Sequence, residues 1–338
     1  MFRQVILRRG TEMEMKGIIA TTHVDGHGEK LAKEALEQLV LEINSENTAI
    51  GVSVEHDGLT MPIGKVVNGK LVQLEDGEFA VETLQEIFDI YSTKNEKFND
   101  VYYIAESKTD RRPFAERAMD NINNLTVAID PHNFNRNDLT VISDFLEKEQ
   151  IHVEFEIKKS LIPDPELIMN LVVGTLFCWT GKKTIEKLSD DIASDISGLY
   201  SKIKKIIIKF AQYSTPQNRP KTYRFREQEE YVKELVIQTS DPNIVIEALQ
   251  PDKLNKIESV IEKNLEQFNV SPARVQLIYE IDKKEWKLNY LLTASGQAIG
   301  TEKCYKRTVD LINQLEFQEG HINVSVAGLV PTTSALKD

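Results

Sequence analysis

Between residues 50 and 81, short β-branched runs alternate with turn pairs, and this rhythm constrains the fold more than any other feature of the chain. The run 50–55 alternates Ile, Val and Val with small or polar residues, ends at His56, and is closed by Asp57-Gly58. Further runs at 64–67, 70–74 and 78–81 are separated by Asn68-Gly69 and Asp76-Gly77. Both pairs tolerate the positive φ angles of tight hairpins, so the segment is expected to fold as an antiparallel meander. Short strands at 5–8 and 17–21 precede it. Between them and the meander, Leu31, Ala35, Leu36, Leu39, Val40 and Ile43 recur at helical spacing among Glu and Lys. The spacing predicts an amphipathic helix over 29–43 with one buried face.

Beyond the meander the pattern predicts helices at 84–91, 113–122 and 139–148, and strands at 101–104, 125–129 and 153–157. Pro163 and Pro165 bracket Asp164 and interrupt the pattern, which places a domain boundary there. Residues 166–211 read as helical, and 214–220, with two prolines, as a loop. A strand at 231–238, a helix at 251–268, paired strands at 274–281 and 286–293, a helix at 308–315 and a strand at 322–327 complete the chain. At 338 residues the chain exceeds what a single core usually spans. The expected class is α+β: an antiparallel barrel-like domain with surrounding helices (1–164), a helical neck (165–215) and a second α+β domain (216–338).

Charge and cysteine usage narrow the function. A formal charge of -12 repels phosphate backbones, so nucleic acid is not an expected partner. Cys178 and Cys304 match no zinc or redox spacing and are too few for a disulfide framework, so reduced thiols in the cytoplasm are expected. No signal peptide is expected in the first nine residues, which lack a continuous apolar stretch and cleavage site. The apolar run 167–179 is too short to span a bilayer as a helix. With the lysines at 182, 183, 187, 202, 204, 205 and 209 it has the ingredients of a membrane-surface or pore-forming segment, but Asp190, Asp191 and Asp195 break the basic face. An apolar helix buried against the C-terminal sheet is the favoured reading.

Common catalytic motifs are missing: there is no Gly-x-Ser-x-Gly elbow, phosphate-binding loop or dinucleotide fingerprint after a strand. Gly296 and Gly300 read as a loop. His23 and His27 have i, i+4 spacing, but Gly26 and Gly28 argue for a loop, in which Asp25 and Glu29 bond backbone N–H groups rather than gather a cation with His27. No metal or cofactor is expected.

Residues 16–29 (Lys-Gly-Ile-Ile-Ala-Thr-Thr-His-Val-Asp-Gly-His-Gly-Glu), then a helix, then Val52-Ser-Val-Glu-His-Asp57, Met61-Pro-Ile-Gly-Lys65 and Leu74-Glu-Asp-Gly-Glu78 resemble the front half of phage prohead proteases. These capsid-maturation serine peptidases are similar in fold to herpesvirus assemblins, and the resemblance covers about a quarter of the chain. It implies a barrel in which His56 is the catalytic imidazole. It also implies a serine on a later strand and a third group that orients the ring. The matching stretch, Leu125-Thr-Val-Ala-Ile129, has Thr126 where the family has serine. Ser160 lies in what looks like the strand and exit closing the fold, and Ser107 among charged residues of a loop. Thr126 and Ser160 are thus the candidate partners of His56.

A compact, sheet-containing second domain differs from the helix-rich tail that usually follows such a protease. The expectation is therefore a degenerate protease fold used for recognition or regulation, in phage–host conflict, with a protein or peptide partner. A serine-type peptidase using His56 is the alternative, and a membrane-acting effector driven by the neck is the second. Homo-oligomerisation stays open. Tyr279, Trp286 and Tyr290 on paired strands pack against the 251–268 helix or offer one face to a partner.

Overall fold

The computed structural model describes residues 5–9, 12–24, 30–54, 57–95, 99–116, 125–156, 165–171, 190–319 and 324–326. Strands and helices mix throughout, as an α+β chain should. The chain forms two compact units. Unit 1 comprises Met1–Arg117, Ser271–Ala273 and Tyr290–Pro331, and unit 2 Ala118–Val270, Arg274–Asn289 and Thr332–Asp338. Residue 164, the boundary expected from the prolines, thus falls within the sequence span of unit 2.

Unit 1 is built on a six-stranded antiparallel sheet that curls into a half-barrel. Its strands are β1 (Val5–Arg9), β2 (Glu12–Thr21), β3 (Ile50–Val54), β4 (Gly64–Gln73), β5 (Phe79–Ile87) and β16 (Val324–Val326). They lie in the order β1-β2-β5-β4-β3-β16. Helix α1 (Lys33–Ile43) buries Leu36 and Ile43 against Ile50, Val52, Val54, Ile63, Val66 and Val81, the apolar stripe and strand face that the periodicity predicted.

Two expectations fail here. Asn68-Gly69 is no hairpin turn: β4 runs through it with a bulge between Val66 and Asn68. The Asn44 side chain bonds both the carbonyl and the N–H of Gly69 at 2.8 and 3.0 Å. A Cβ on Gly69 would come within 2.9 Å of Ile43, so the glycine serves close helix–sheet approach. Asp76-Gly77 is the true turn, with Gly77 at φ +92°. Residues 84–91 are not a helix. β5 continues to Ile87, bonded to β2 on one edge and β4 on the other, and β6 (Asp89–Asn95) follows. Apolar residues at helical spacing lose there to a doubly paired central strand.

A second ladder in unit 1 pairs β6 with β7 (Asp100–Glu106), β7 with β15 (Ala298–Thr301), and β15 with the last residues of β14 (Glu285–Thr293). Met61, Phe88, Ala105, Phe114, Tyr290, Leu292, Ala298 and Cys304 form its core. Residues 113–116, expected to open a helix, are extended: Ala49 N–H donates to Pro113 O, and Ala115 N–H to Ala49 O. Residues 117–122 lie outside the described residues.

Unit 2 carries strands β8 (Thr126–Ile129), β9 (His152–Phe155), β10 (Glu166–Leu171), β11 (Lys221–Gln228), β12 (Val232–Thr239) and β13 (Pro272–Glu280), in the order β9-β8-β10-β11-β12-β13. Its helices are α2 (Arg136–Lys148), α3 (Asp190–Tyr213), α4 (Pro242–Ala248), α5 (Pro251–Leu254) and α6 (Ile257–Phe268). The start of the expected neck is strand: β10 lies buried between β8 and β11. A short apolar run cannot separate helix from buried strand by periodicity, and pairing decides it. In α3, Ile203, Ile206, Ile207 and Phe210 are buried, and Phe210 stands edge-on to Tyr223 of β11 at 5.7 Å. The run 167–179, expected as an apolar helix buried against the C-terminal sheet, is strand over 167–171, and 172–179 lie outside the described residues.

The other sheet face is polar. Thr126, Asn170, Arg226, Glu234 and Gln276 are direct partners across successive strands, and Asn289 donates to Gln276 at 2.6 Å. All six are buried. Glu234 accepts from Arg224 at 2.5 Å and from Gln276 at 2.5 Å. Burial would raise its pKa, yet Arg224, Arg274, Arg226 and the Gln276 bond outweigh that and hold it at about 2.

Candidate functional site at the end of strand β3

β3 leads to the histidine that the resemblance singles out. Its five residues are all buried. Gly51 allows close packing: a Cβ there would lie 3.2 Å from the Phe114 ring and 3.3 Å from Pro62. His56 itself lies outside the described residues, so the site is built from what flanks it.

Asp57 turns the chain. Its N–H donates to Val54 O at 3.0 Å, and its carboxylate accepts from Leu59 N–H at 2.7 Å, an Asx turn. The same carboxylate is gripped by Arg307 of α7 (Glu302–Glu319): Nε donates at 2.9 and 3.2 Å and Nη2 at 2.6 Å. Such a forked, charge-assisted contact fixes both groups. One turn earlier on α7, the buried Cys304 thiol donates to Leu59 O at 3.5 Å. Burial pushes that thiol up to about 12, so it stays protonated and unreactive near neutral pH. A Cβ on Gly300 would meet Met61 Sδ at 2.6 Å, which brings the strand before α7 tight against the segment after Asp57.

A cavity of about 660 Å³ borders this helix, lined among the described residues by Glu302, Lys303, Lys306, Arg307, Asp310 and Leu311. On the outer edge of β3 lies β16, antiparallel, with Val324 opposite Val54, Ser325 opposite Ser53 and Val326 opposite Val52. A distant segment of the chain is thus seated as an added strand beside the approach to His56.

The other predicted residues fare as follows. Thr126 is in β8, fully buried, its hydroxyl without a hydrogen-bond partner, opposite Asn170 in the polar row of unit 2. It opens β8, paired with β10 on one side and β9 on the other, with no exposed face from which to attack a substrate. Ser160 lies outside the described residues, as do Cys178, Asp25, His27 and Glu29. His23 bonds Asp76 at 2.6 Å, across to the β4–β5 turn. Ser107 is structural: its hydroxyl donates to Glu86 at 2.7 Å and accepts from the N–H groups of Thr109 and Asp110. Trp286 donates to Ala248 O and packs on Tyr279, which places both in the core of unit 2.

The sequence reading missed Lys65, a fully buried residue of β4 whose amine donates to the carbonyls of Asp110 and Arg112 at 2.8 and 2.5 Å. Burial lowers it to about 8, against the opposing pull of Asp110. It also missed Arg307, which sits on a helix predicted to begin only at 308. Among the described residues no group of three or more His, Cys, Asp or Glu side chains is arranged to hold a metal, and no helix is long and apolar enough to cross a membrane.

No family model, curated protein or solved structure matches the chain. Its function must therefore be argued from its own residues.

Proposed function

We propose that this chain is a recognition module on a prohead-protease-like fold, which binds an extended polypeptide segment along the outer edge of β3 without hydrolysing it. The observation that carries this reading is the strand already seated there: β16 pairs through the backbone with the strand that leads to His56. Backbone pairing provides affinity for any extended chain, and the alternate side chains provide selection.

Two features support recognition over hydrolysis. A catalytic imidazole needs an orienting acceptor, and the neighbouring carboxylate of Asp57 is committed to Arg307 and Leu59. Two of the candidate hydroxyls, both among the described residues, are also spent: Thr126 is buried in its strand, and Ser107 is held by Glu86. The test is labelling with a serine-directed fluorophosphonate, with intact mass followed over time, in wild type and His56→Ala. The expected result is no difference between the two. An adduct or self-cleavage lost in His56→Ala would establish the peptidase instead, and the mapped adduct would identify its nucleophile.

A further inference from the structure

The edge of β3 is a short slot with defined ends. At its start the backbone of Ala49 is taken by Pro113 and Ala115, and Phe114 stands against Gly51. At its far end Asp57 turns the chain away under the grip of Arg307. Between these stops the inner edge of β3 is bonded to β4, with Ile50 opposite Val66 and Val52 opposite Gly64. Among the described residues, the outer edge takes three residues of β16. An apolar strand left open at such an edge would template association with other chains, so some occupant is needed.

Resting on the recognition reading above, we infer that β16 is a replaceable occupant. The C-terminal segment holds the slot in cis, and a partner's extended segment of the same alternating type, β-branched, small, β-branched, takes its place in trans. Three pairs are a small contact for a strand, below the usual length of five to six residues. A partner segment that pairs along the edge as far as Gly51 competes with the tail for it. The tail is tethered and therefore present at high effective concentration, so it sets a threshold that a free ligand must exceed. Partner recognition and release of the tail are then one equilibrium.

The experiment measures fluorescence anisotropy of a labelled peptide with the sequence of residues 320–328, Gly-His-Ile-Asn-Val-Ser-Val-Ala-Gly. It is titrated with the full chain, with a chain ending at residue 319, and with full-length Ser325→Pro, which removes a backbone donor from β16. Binding at least ten-fold tighter to the truncated and Ser325→Pro chains than to wild type is expected, as is its loss when the peptide itself carries Ser325→Pro. Equal affinity for all three chains would overturn the inference while leaving the recognition reading intact. Absence of binding to any chain would sink both. Hydrogen exchange guards against misfolding of the truncated chain. In full-length Ser325→Pro, amides 50–54 should exchange faster than in wild type while those of β4 and β5 stay protected. Unchanged protection at 50–54 would count against a seated tail.

Discussion

At the scale of single residues, the chain places its charges where removal is costly. Asp57 and Arg307 are 250 positions apart and meet as a fork, with Asp57 nearly buried. Arg307→Ala should lower stability by about 1–3 kcal/mol in urea denaturation. Arg307→Lys should recover less than half of the loss, because a point charge cannot span both oxygens. Glu234 carries a pH signature. Its folded pKa of about 2 lies below its ordinary 4.5, so at pH between these values the unfolded chain takes up a proton that the folded chain refuses. The stabilisation is present above pH 4.5 and is lost as pH falls toward 2. In Glu234→Gln the acid-side fall in stability between pH 4.5 and 2 should be shallower than in wild type, as measured by urea midpoints across that range. Neither pair was legible in the sequence, because a carboxylate's burial and the identity of its cation depend on which strands become neighbours.

Elements were more legible where one face alone is buried. α1 reads correctly because its apolar stripe repeats at helical spacing and only that stripe meets the sheet. β5 and β10 read as helix because a short apolar run carries no decisive period, and the ladders on both of their edges decide their state; β6 is set by its pairing with β7. The turn before β15 shows how an element depends on its surroundings. Gly296 has φ +80°, and a Cβ there would stand 2.4 Å from Arg112 O and from Lys65 Nζ. Gly296→Ala should cost at least about 2 kcal/mol through strained backbone and steric conflict, which thermal unfolding would register as a lower midpoint. Sequence alone marks this glycine only as a loop residue. Its close neighbours come from a buried lysine and a segment nearly two hundred positions away.

At the scale of the whole molecule, chain order and compact unit part company. Unit 1 draws its first 117 residues from the N-terminal part of the chain, and completes its core with Tyr290, Leu292, Ala298 and Cys304 from far downstream. A fragment ending at residue 164, the boundary that the prolines suggest, lacks β14, β15 and α7. It should show no cooperative thermal transition by near-ultraviolet circular dichroism, whereas the full chain does. A sharp transition in the fragment would mean that the downstream residues are dispensable for that core. What the sequence by itself determined is local: the meander with its Asp76-Gly77 turn, the amphipathic helix α1, the helical state of α3, and an α+β composition. These follow from periodicity and turn chemistry within windows of ten to twenty residues. What only the tertiary structure decided is non-local: the guanidinium that holds Asp57, the polar row across unit 2, and the strand seated beside β3. Each depends on pairing between segments far apart in the chain, whose partners no local pattern encodes.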